Sequence, residues 1–226
     1  MRNIKVKNWK LTEIIGLSFV LLFIIVHALV RNDNPIAVIS AVCGITYTFI
    51  AGKGNPVCYL FGLTGSTFYC ILSFKNALWG NLALYSCYYI PMQIMGYFNW
   101  NRNLKEGKNE FVKIYLPKKE LLQVILFSLF GTAALSFLLY NLKDSHPILD
   151  SVTAILSVAG MYLTVRRAIE QWICWMVVNA LSFIMWLKIV INGGKAYSTV
   201  IMWGVYLILA IYFYISWKKE IIKNRT

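Results

Sequence analysis

Residues 121–140 read LLQVILFSLFGTAALSFLLY, a run without a single Asp, Glu, Lys, Arg or His. A helix rises about 1.5 Å per residue, so this run crosses the roughly 30 Å hydrocarbon core of a bilayer. Three further apolar runs precede it, at 35–51, 57–74 and 82–100, and three follow, at 149–165, 172–191 and 197–217. An eighth lies at 14–30. Turn residues separate them: Asn34-Pro35, Gly54-Asn55-Pro56, Gly80-Asn81, His146-Pro147 and Gly193-Gly194. Because a single crossing divides the two sets of three, both sets enter the membrane in the same orientation. The expected fold is an all-α integral membrane protein of about eight transmembrane helices, with a 3+1+3 parallel repeat preceded by one extra N-terminal helix.

Composition supports this class. Of 226 residues, 59% are hydrophobic and 14% charged, and the mean hydropathy is +0.62. Soluble domains carry about 25% charged residues, so a soluble enzyme and a disordered chain are both excluded. The net charge of +13 is therefore read as topology rather than as a nucleic-acid surface. Assigning the loops alternately to two sides places 17 of the 22 Lys and Arg on one side. That side holds Arg2 to Lys10, Lys53, Arg102 to Lys119, Arg166, Arg167 and Lys218 to Arg225. The other side holds Arg31, Lys75, Lys143, Lys188 and Lys195. Positive charge accumulates in cytoplasmic loops, so both termini are expected in the cytoplasm of a bacterial inner-membrane protein. The first run follows a basic stretch, as a signal peptide would. It is longer than a usual signal core and lacks a small-x-small site before Arg31, so a retained helix is expected. The expected divisions are 1–34 (basic N-terminus and extra helix), 35–100 (first repeat), 101–146 (loop and linker helix), 147–217 (second repeat) and 218–226 (tail).

The two sets of three resemble each other weakly. An offset of 115 pairs Tyr47 with Tyr162, Thr64 with Asn179 and Phe68 with Phe183, and an offset of 117 pairs Tyr89 with Tyr206 and Trp100 with Trp217. Parallel repeats of this kind occur in transporters, whose substrates bind near the midplane at the repeat interface.

Polar residues within the apolar runs point to a site. Trp172, Trp175 and Asn179 fall within an arc of about 60° at about 100° per residue, and Phe183 and Trp186 extend the stripe. An aromatic belt explains Trp172 at the membrane edge. It does not explain an amide about 10 Å deeper, because Asn is costly against lipid. That amide faces either a helix–helix hydrogen bond or a substrate. Gln93 and Thr64 reach a similar depth on two other helices, and Tyr85, Tyr89 and Gln93 form a second stripe. Pro91, inside that helix, is expected to kink it or free a carbonyl. Other chemistry finds little support. His27 and His146 lack partners at ligand spacing, so no metal site is expected. Asp150 and Glu170 read as solvated or capping groups at helix edges. No GxxxxGK[ST], HExxH or GxSxG occurs, so neither an ATP-driven pump nor a membrane-embedded enzyme finds a motif. The five cysteines form no CxxC pair and read as small apolar packing residues.

Trp172-Ile173-Cys174-Trp175-Met176-Val177-Val178-Asn179 matches WxxWxxxN, and the chain is similar from about 35 to 217 to the PnuC nicotinamide riboside transporters. Tyr88, Tyr89, Met92, Gln93, Gly96, Tyr97 and Trp100 carry the resemblance in the first repeat. It implies a SWEET-like fold, a homotrimer, and facilitated diffusion of nicotinamide riboside with trapping by cytosolic phosphorylation. It implies no cofactor and no catalytic residue. Trp172, Trp175, Asn179, Gln93, Tyr89 and Thr64 are the expected substrate-binding residues. Relatives with other forms of the motif carry thiamine or other nucleosides. The cationic pyridinium suits indole faces, and amides suit its carboxamide and ribose hydroxyls.

The charge asymmetry generates a direct test of topology. In intact cells, an impermeant thiol reagent should label cysteines introduced at positions 33, 77, 144 and 194. A cysteine at 108 should label only after the membrane is permeabilised; labelling of 108 from outside rejects the topology.

Overall fold

The computed structural model describes residues 11–31, 35–75, 82, 84–105, 111–143, 147–192 and 197–223. The basic residues before Leu11, Lys108, His146, positions 33, 77, 144 and 194, and the side chain of Trp186 lie outside this description. Among the described residues there are eight α-helices: α1 (Leu11–Arg31), α2 (Pro35–Gly52), α3 (Cys58–Lys75), α4 (Ile90–Arg102), α5 (Lys118–Asn141), α6 (Pro147–Val165), α7 (Gln171–Ile191) and α8 (Tyr197–Lys223). Helices are the expected answer to lipid, because every backbone N–H and C=O must be satisfied inside the segment. Four of them, α1, α5, α6 and α8, are long and apolar enough to cross a membrane by length and composition, while α2, α3 and α7 carry shorter apolar stretches. A π-helical turn at Tyr85–Tyr89 runs directly into α4. Pro91 lacks an N–H and its ring crowds the carbonyl four residues back, and the chain meets this with the wider turn. Ile90 donates to the Tyr85 carbonyl across it.

The chain divides into two units, 1–112 and 113–226. In the first, α1 packs on α2, α2 on α3, and α3 on α4. In the second, α5 packs on α6, α6 on α7, and α7 on α8. Each unit is thus three helices packed each on the next, led by one apolar helix that touches the first of the three. The helix at the N-terminus, expected as an extra element, leads its unit as α5 leads the other. Both leading helices bury little: α5 buries no residue, and α1 exposes Leu11, Phe19 and Leu29. Wide apolar surface of this kind calls for lipid or protein cover.

The turns joining the first two helices of each trio are built alike. Gly54 (φ 76°) and Arg167 (φ 64°) are both left-handed. Asn55 donates to the Ile50 carbonyl and Gly54 to Ala51; Ala168 donates to Leu163 and Arg167 to Thr164. Each set is a Schellman cap, with the left-handed residue just past the helix end. Glycine takes that conformation freely, whereas Arg167 adopts it at a steric cost. Burial and the neighbouring Arg166 guanidinium lower the Arg167 pKa from its ordinary value. These caps set the repeat register at 113 positions across this region, rather than the expected 115.

The polar stretch after α4 stays ordered by joining these caps. In the first unit Phe111 donates its N–H to the Gly54 carbonyl at 3.1 Å, Val112 donates to Asn103, and Leu104 bridges Phe111. The Phe111 ring is fully buried 4.0 Å from Trp100, which itself stands edge-on to Tyr59. In the second unit Ile114 donates to the Arg167 carbonyl at 3.2 Å and accepts from Ile169. Lys113, 8% exposed, pairs with Glu220 and lies over the Trp217 ring. Glu170 accepts from the Leu116 N–H, and Glu120 pairs with Arg166. The last helix runs through Lys223, beyond the expected end at 217, because Trp217 and Ile221 are buried and Glu220 holds Lys113.

In each unit the basic turns and tails therefore share one end. In the first, the start of α1 joins the 53–57 turn through Glu13–Lys53 at 2.5 Å. Phe111→Ala should empty a site with no room to relax. Such truncations cost about 3–5 kcal/mol, so the melting temperature in detergent should fall clearly, while Val112→Ala, on the exposed side of the same strand, stays within about 0.5 kcal/mol of the parent.

Candidate functional site

The second unit carries the tryptophan–asparagine motif on α7. Trp175 lies on Gly160 of α6: a Cβ added there would stand 3.1 Å from indole Cε2. The indole N–H donates to Thr164 Oγ1 at 3.4 Å, and the Thr164 hydroxyl donates in turn to the Gly160 carbonyl at 2.8 Å. One edge of the Trp175 ring is thereby tied to α6, which fixes the indole plane. Asn179, one turn deeper, is buried at 6% exposure and makes no hydrogen bond among the described residues. An amide can both donate and accept, so it suits a polar ligand or water.

Trp172 is placed differently from its expected role. It is 2% exposed, 5.4 Å from Phe213 and 5.5 Å edge-on from Trp217. Packing occupies its faces, so what it offers is an edge: its indole N–H has no partner. The register of 113 explains the difference. Trp172 corresponds to Tyr59, which likewise abuts the buried tryptophan at the end of its unit's last helix.

The first unit holds the second polar cluster. Gln93 of α4, 6% exposed, donates from Nε2 to Ser66 Oγ of α3 at 2.9 Å. Its Oε1 is buried and unpartnered, and so are the hydroxyls of Tyr47 and Tyr59. The α2, α3 and α4 backbones approach closely enough to assemble this cluster because glycines line the contacts. A Cβ at Gly62 would meet the Tyr47 ring at 2.8 Å and Gln93 Cδ at 3.2 Å, and one at Gly96 would overlap the Tyr59 ring. Small residues at such positions are the usual route to close helix packing in lipid. Tyr89 is half-buried in the π turn and stacks on Tyr85 at 4.8 Å, which in turn lies 4.4 Å from Tyr69. Thr64 is exposed and returns its hydroxyl to the Leu60 carbonyl.

Sequence reasoning missed Ser66, Tyr47, Gly62, Gly160 and Thr164. A register of 113 would have found two of them. It pairs Ser66 with Asn179, and Gly62 with Trp175. It also pairs Tyr47 with Gly160, so the first two helices of each trio set an aromatic ring on a glycine, with the two roles exchanged between them. No cluster of three or more His, Cys, Asp or Glu suited to a metal occurs among the described residues. The polar atoms available are neutral amides, hydroxyls and indole N–H groups. They can bind a neutral or cationic polar molecule.

Residues 34–219 match the family described as nicotinamide mononucleotide transporter. The chain is 32% identical over 212 residues to the nicotinamide riboside transporter PnuC of Neisseria mucosa, covering 89% of this chain and 80% of that one. It is 27% identical to the protein of the same name from Haemophilus influenzae, covering 95% and 92% respectively. Among solved structures, the crystal structure of the vitamin B3 transporter PnuC superposes with a TM-score of 0.77 at 30% identity, covering 93% of this chain and 92% of that chain.

Proposed function

We propose, from the premise that this chain belongs to the nicotinamide mononucleotide transporter family, that it carries nicotinamide riboside across the bacterial inner membrane. The observation that carries the reading is on α7. An indole held rigid by Thr164 and a buried amide without a protein partner lie one turn apart on the same helix. The riboside presents a cationic aromatic ring, a carboxamide and ribose hydroxyls. Indole faces attract the first, and amides hydrogen-bond the others. In the second unit Trp175 and Asn179 are the proposed contacts; in the first unit, taken by itself, they are Gln93 and Tyr89. Trp172 contributes its N–H edge, and Thr64 stands as a peripheral contact at most. The relatives named above are riboside transporters.

The family description names the mononucleotide. Its phosphate would require Lys or Arg, normally as a charge-assisted pair. Lys113, paired with Glu220 before the start of α5, is the one buried cation among the described residues. This favours the riboside. Thiamine and other nucleosides remain the competing cargoes, and the complete WxxWxxxN motif argues for nicotinamide riboside.

The proposed mechanism is uniport. The acidic residues of the described helices (Glu13, Glu120, Asp150 and Glu220) stand in first or last turns, with no buried acid at mid-helix to relay protons. Uptake then depends on cytosolic phosphorylation of the product. The proposed assembly is a homotrimer with cytoplasmic termini, its remaining apolar faces in lipid.

Binding titrations on purified protein test the site. Trp175→Ala should weaken nicotinamide riboside by roughly 2 kcal/mol, about thirtyfold, through loss of the cation–π attraction and packing area. Asn179→Leu should cost about 1–3 kcal/mol, because the ligand's polar group is left unpaired. Unchanged affinity in both folded variants would show the stripe to be packing. Energetics are tested separately. Liposomes should equilibrate the riboside without ATP, sodium or a proton gradient, and accumulation that collapses with a protonophore would contradict uniport.

A further inference from the structure

We propose that the end of the second unit where α5 begins holds the headgroup phosphate of an anionic phospholipid. Arg167, Lys118 and Lys119 are its contacts, and the exposed apolar face of α5 takes its acyl chains. The inference is independent of which cargo the chain carries.

Two backbone bonds and one ion pair gather these residues. Ile114 donates to the Arg167 carbonyl and accepts from the Ile169 N–H. Glu120, in the first turn of α5, pairs with Arg166 at 2.6 Å. The α6–α7 turn and the start of α5 therefore stand side by side, and Lys118 and Lys119 lie in that same first turn. The acids at this end are engaged: Glu120 by Arg166, Glu220 by Lys113 and Glu170 by the Leu116 N–H. Lys118 and Lys119 are exposed and make no hydrogen bond or ion pair among the described residues.

Arg167 carries the argument. It closes the cap after α6 at φ 64°, where the matching turn of the first unit closes with Gly54 at φ 76°. Glycine meets this geometry without strain, so the cap alone gives no reason for an arginine. Strained residues of this kind recur where a ligand is clamped. The side chain is half-buried, and burial and the neighbouring Arg166 guanidinium both lower its pKa. An anion beside the pair offsets the repulsion and replaces lost water with charge-assisted bonds. The apolar half of the site lies on α5, none of whose residues is buried. Lys118, Leu122, Ile125 and Leu129 fall within an arc of about 60° at about 100° per residue. All three apolar members of that stripe are exposed. A cation at the helix end above an apolar stripe fits a phospholipid, whereas a free anion uses only the first.

The test is a lipid titration of purified full-length protein in a neutral detergent, read by the shift in melting temperature. Dioleoylphosphatidylglycerol should act at lower concentration than dioleoylphosphatidylcholine. Arg167→Gly should raise the phosphatidylglycerol midpoint about fivefold, the contribution of one cation at an anionic surface. Lys118→Gln combined with Lys119→Gln should raise it at least about tenfold. Arg167→Gly installs the residue that the first unit uses in this turn, so its melting temperature without lipid should hold or rise, which separates lost lipid binding from lost fold. Lys188→Gln removes one charge at the opposite end of α7 and should leave the midpoint within about twofold. If Lys188→Gln weakens the lipid as much as Arg167→Gly, net charge and not a site attracts it, and the proposal fails. It fails equally if the midpoint is unchanged in Arg167→Gly and in the lysine double variant, which leaves the α5 face to a protein partner. Inorganic phosphate that reproduces the Arg167-dependent shift by itself also overturns it, because the site then takes a free anion.

Discussion

Lipid offers backbone and side chain no hydrogen bonds, and this structure follows from how the chain meets that constraint. Hydroxyls inside the helices return to their own backbone: Thr46 to Val42, Thr48 to Gly44, Thr67 to Leu63, Ser86 to Leu82, Ser151 to Pro147 and Thr164 to Gly160. Such bonds cost nothing in tertiary geometry and use the hydroxyl's one donor, leaving it only acceptor capacity, as Thr164 shows toward Trp175. Against that background the exceptions stand out. Gln93 and Ser66 bond each other across two helices, and Gln93 Oε1 and the hydroxyls of Tyr47 and Tyr59 have no partner at all. Asn179 makes no side-chain hydrogen bond among the described residues either. Buried polar groups left unpaired are costly in an apolar medium.

The same constraint explains the close helix contacts. Apolar side chains gain little by leaving lipid for protein, so packing must come from shape. Gly62, Gly96 and Gly160 each receive an aromatic ring from a neighbouring helix. These contacts hold Tyr47, Tyr59 and Trp175 in fixed orientations, and two of those rings lie beside unpartnered polar atoms. Rigidity of the ring and availability of the polar group thus come from one packing device used in both units.

Outside the membrane the chain uses ordinary soluble-protein chemistry. The Schellman caps at Gly54 and Arg167 expose one carbonyl each, and the linker supplies the N–H groups of Phe111 and Ile114. Phe111 and Lys113, two residues apart in an extended segment, cover the buried indoles of Trp100 and Trp217 by ring packing and by cation–π contact respectively. A polar stretch that reads as a long loop is therefore tied down, one end to each unit, by a few backbone bonds and two buried side chains.

The sequence by itself determined the class, the number of helices and the family. Each of these rests on run length, charge and spacing, which survive without knowledge of neighbours. It also singled out Gln93, Trp175 and Asn179 as candidates, because an amide or a rigid indole inside an apolar run is conspicuous whatever surrounds it. Tertiary structure alone separated Trp172 from Trp175. Both share a helix face, yet one ring is enclosed by Phe213 and Trp217 while the other lies against Gly160. It also distinguished Ser66 from Thr64: two hydroxyls half a turn apart on α3 differ in whether α4 brings Gln93 within reach. The repeat register of 113 likewise rests on the matched caps at Gly54 and Arg167, since within an apolar alphabet a shift of two residues leaves the pattern almost unchanged. Which side chains touch depends on helix rotation and on where glycine lets backbones approach, and neither quantity is written in the spacing of a single helix.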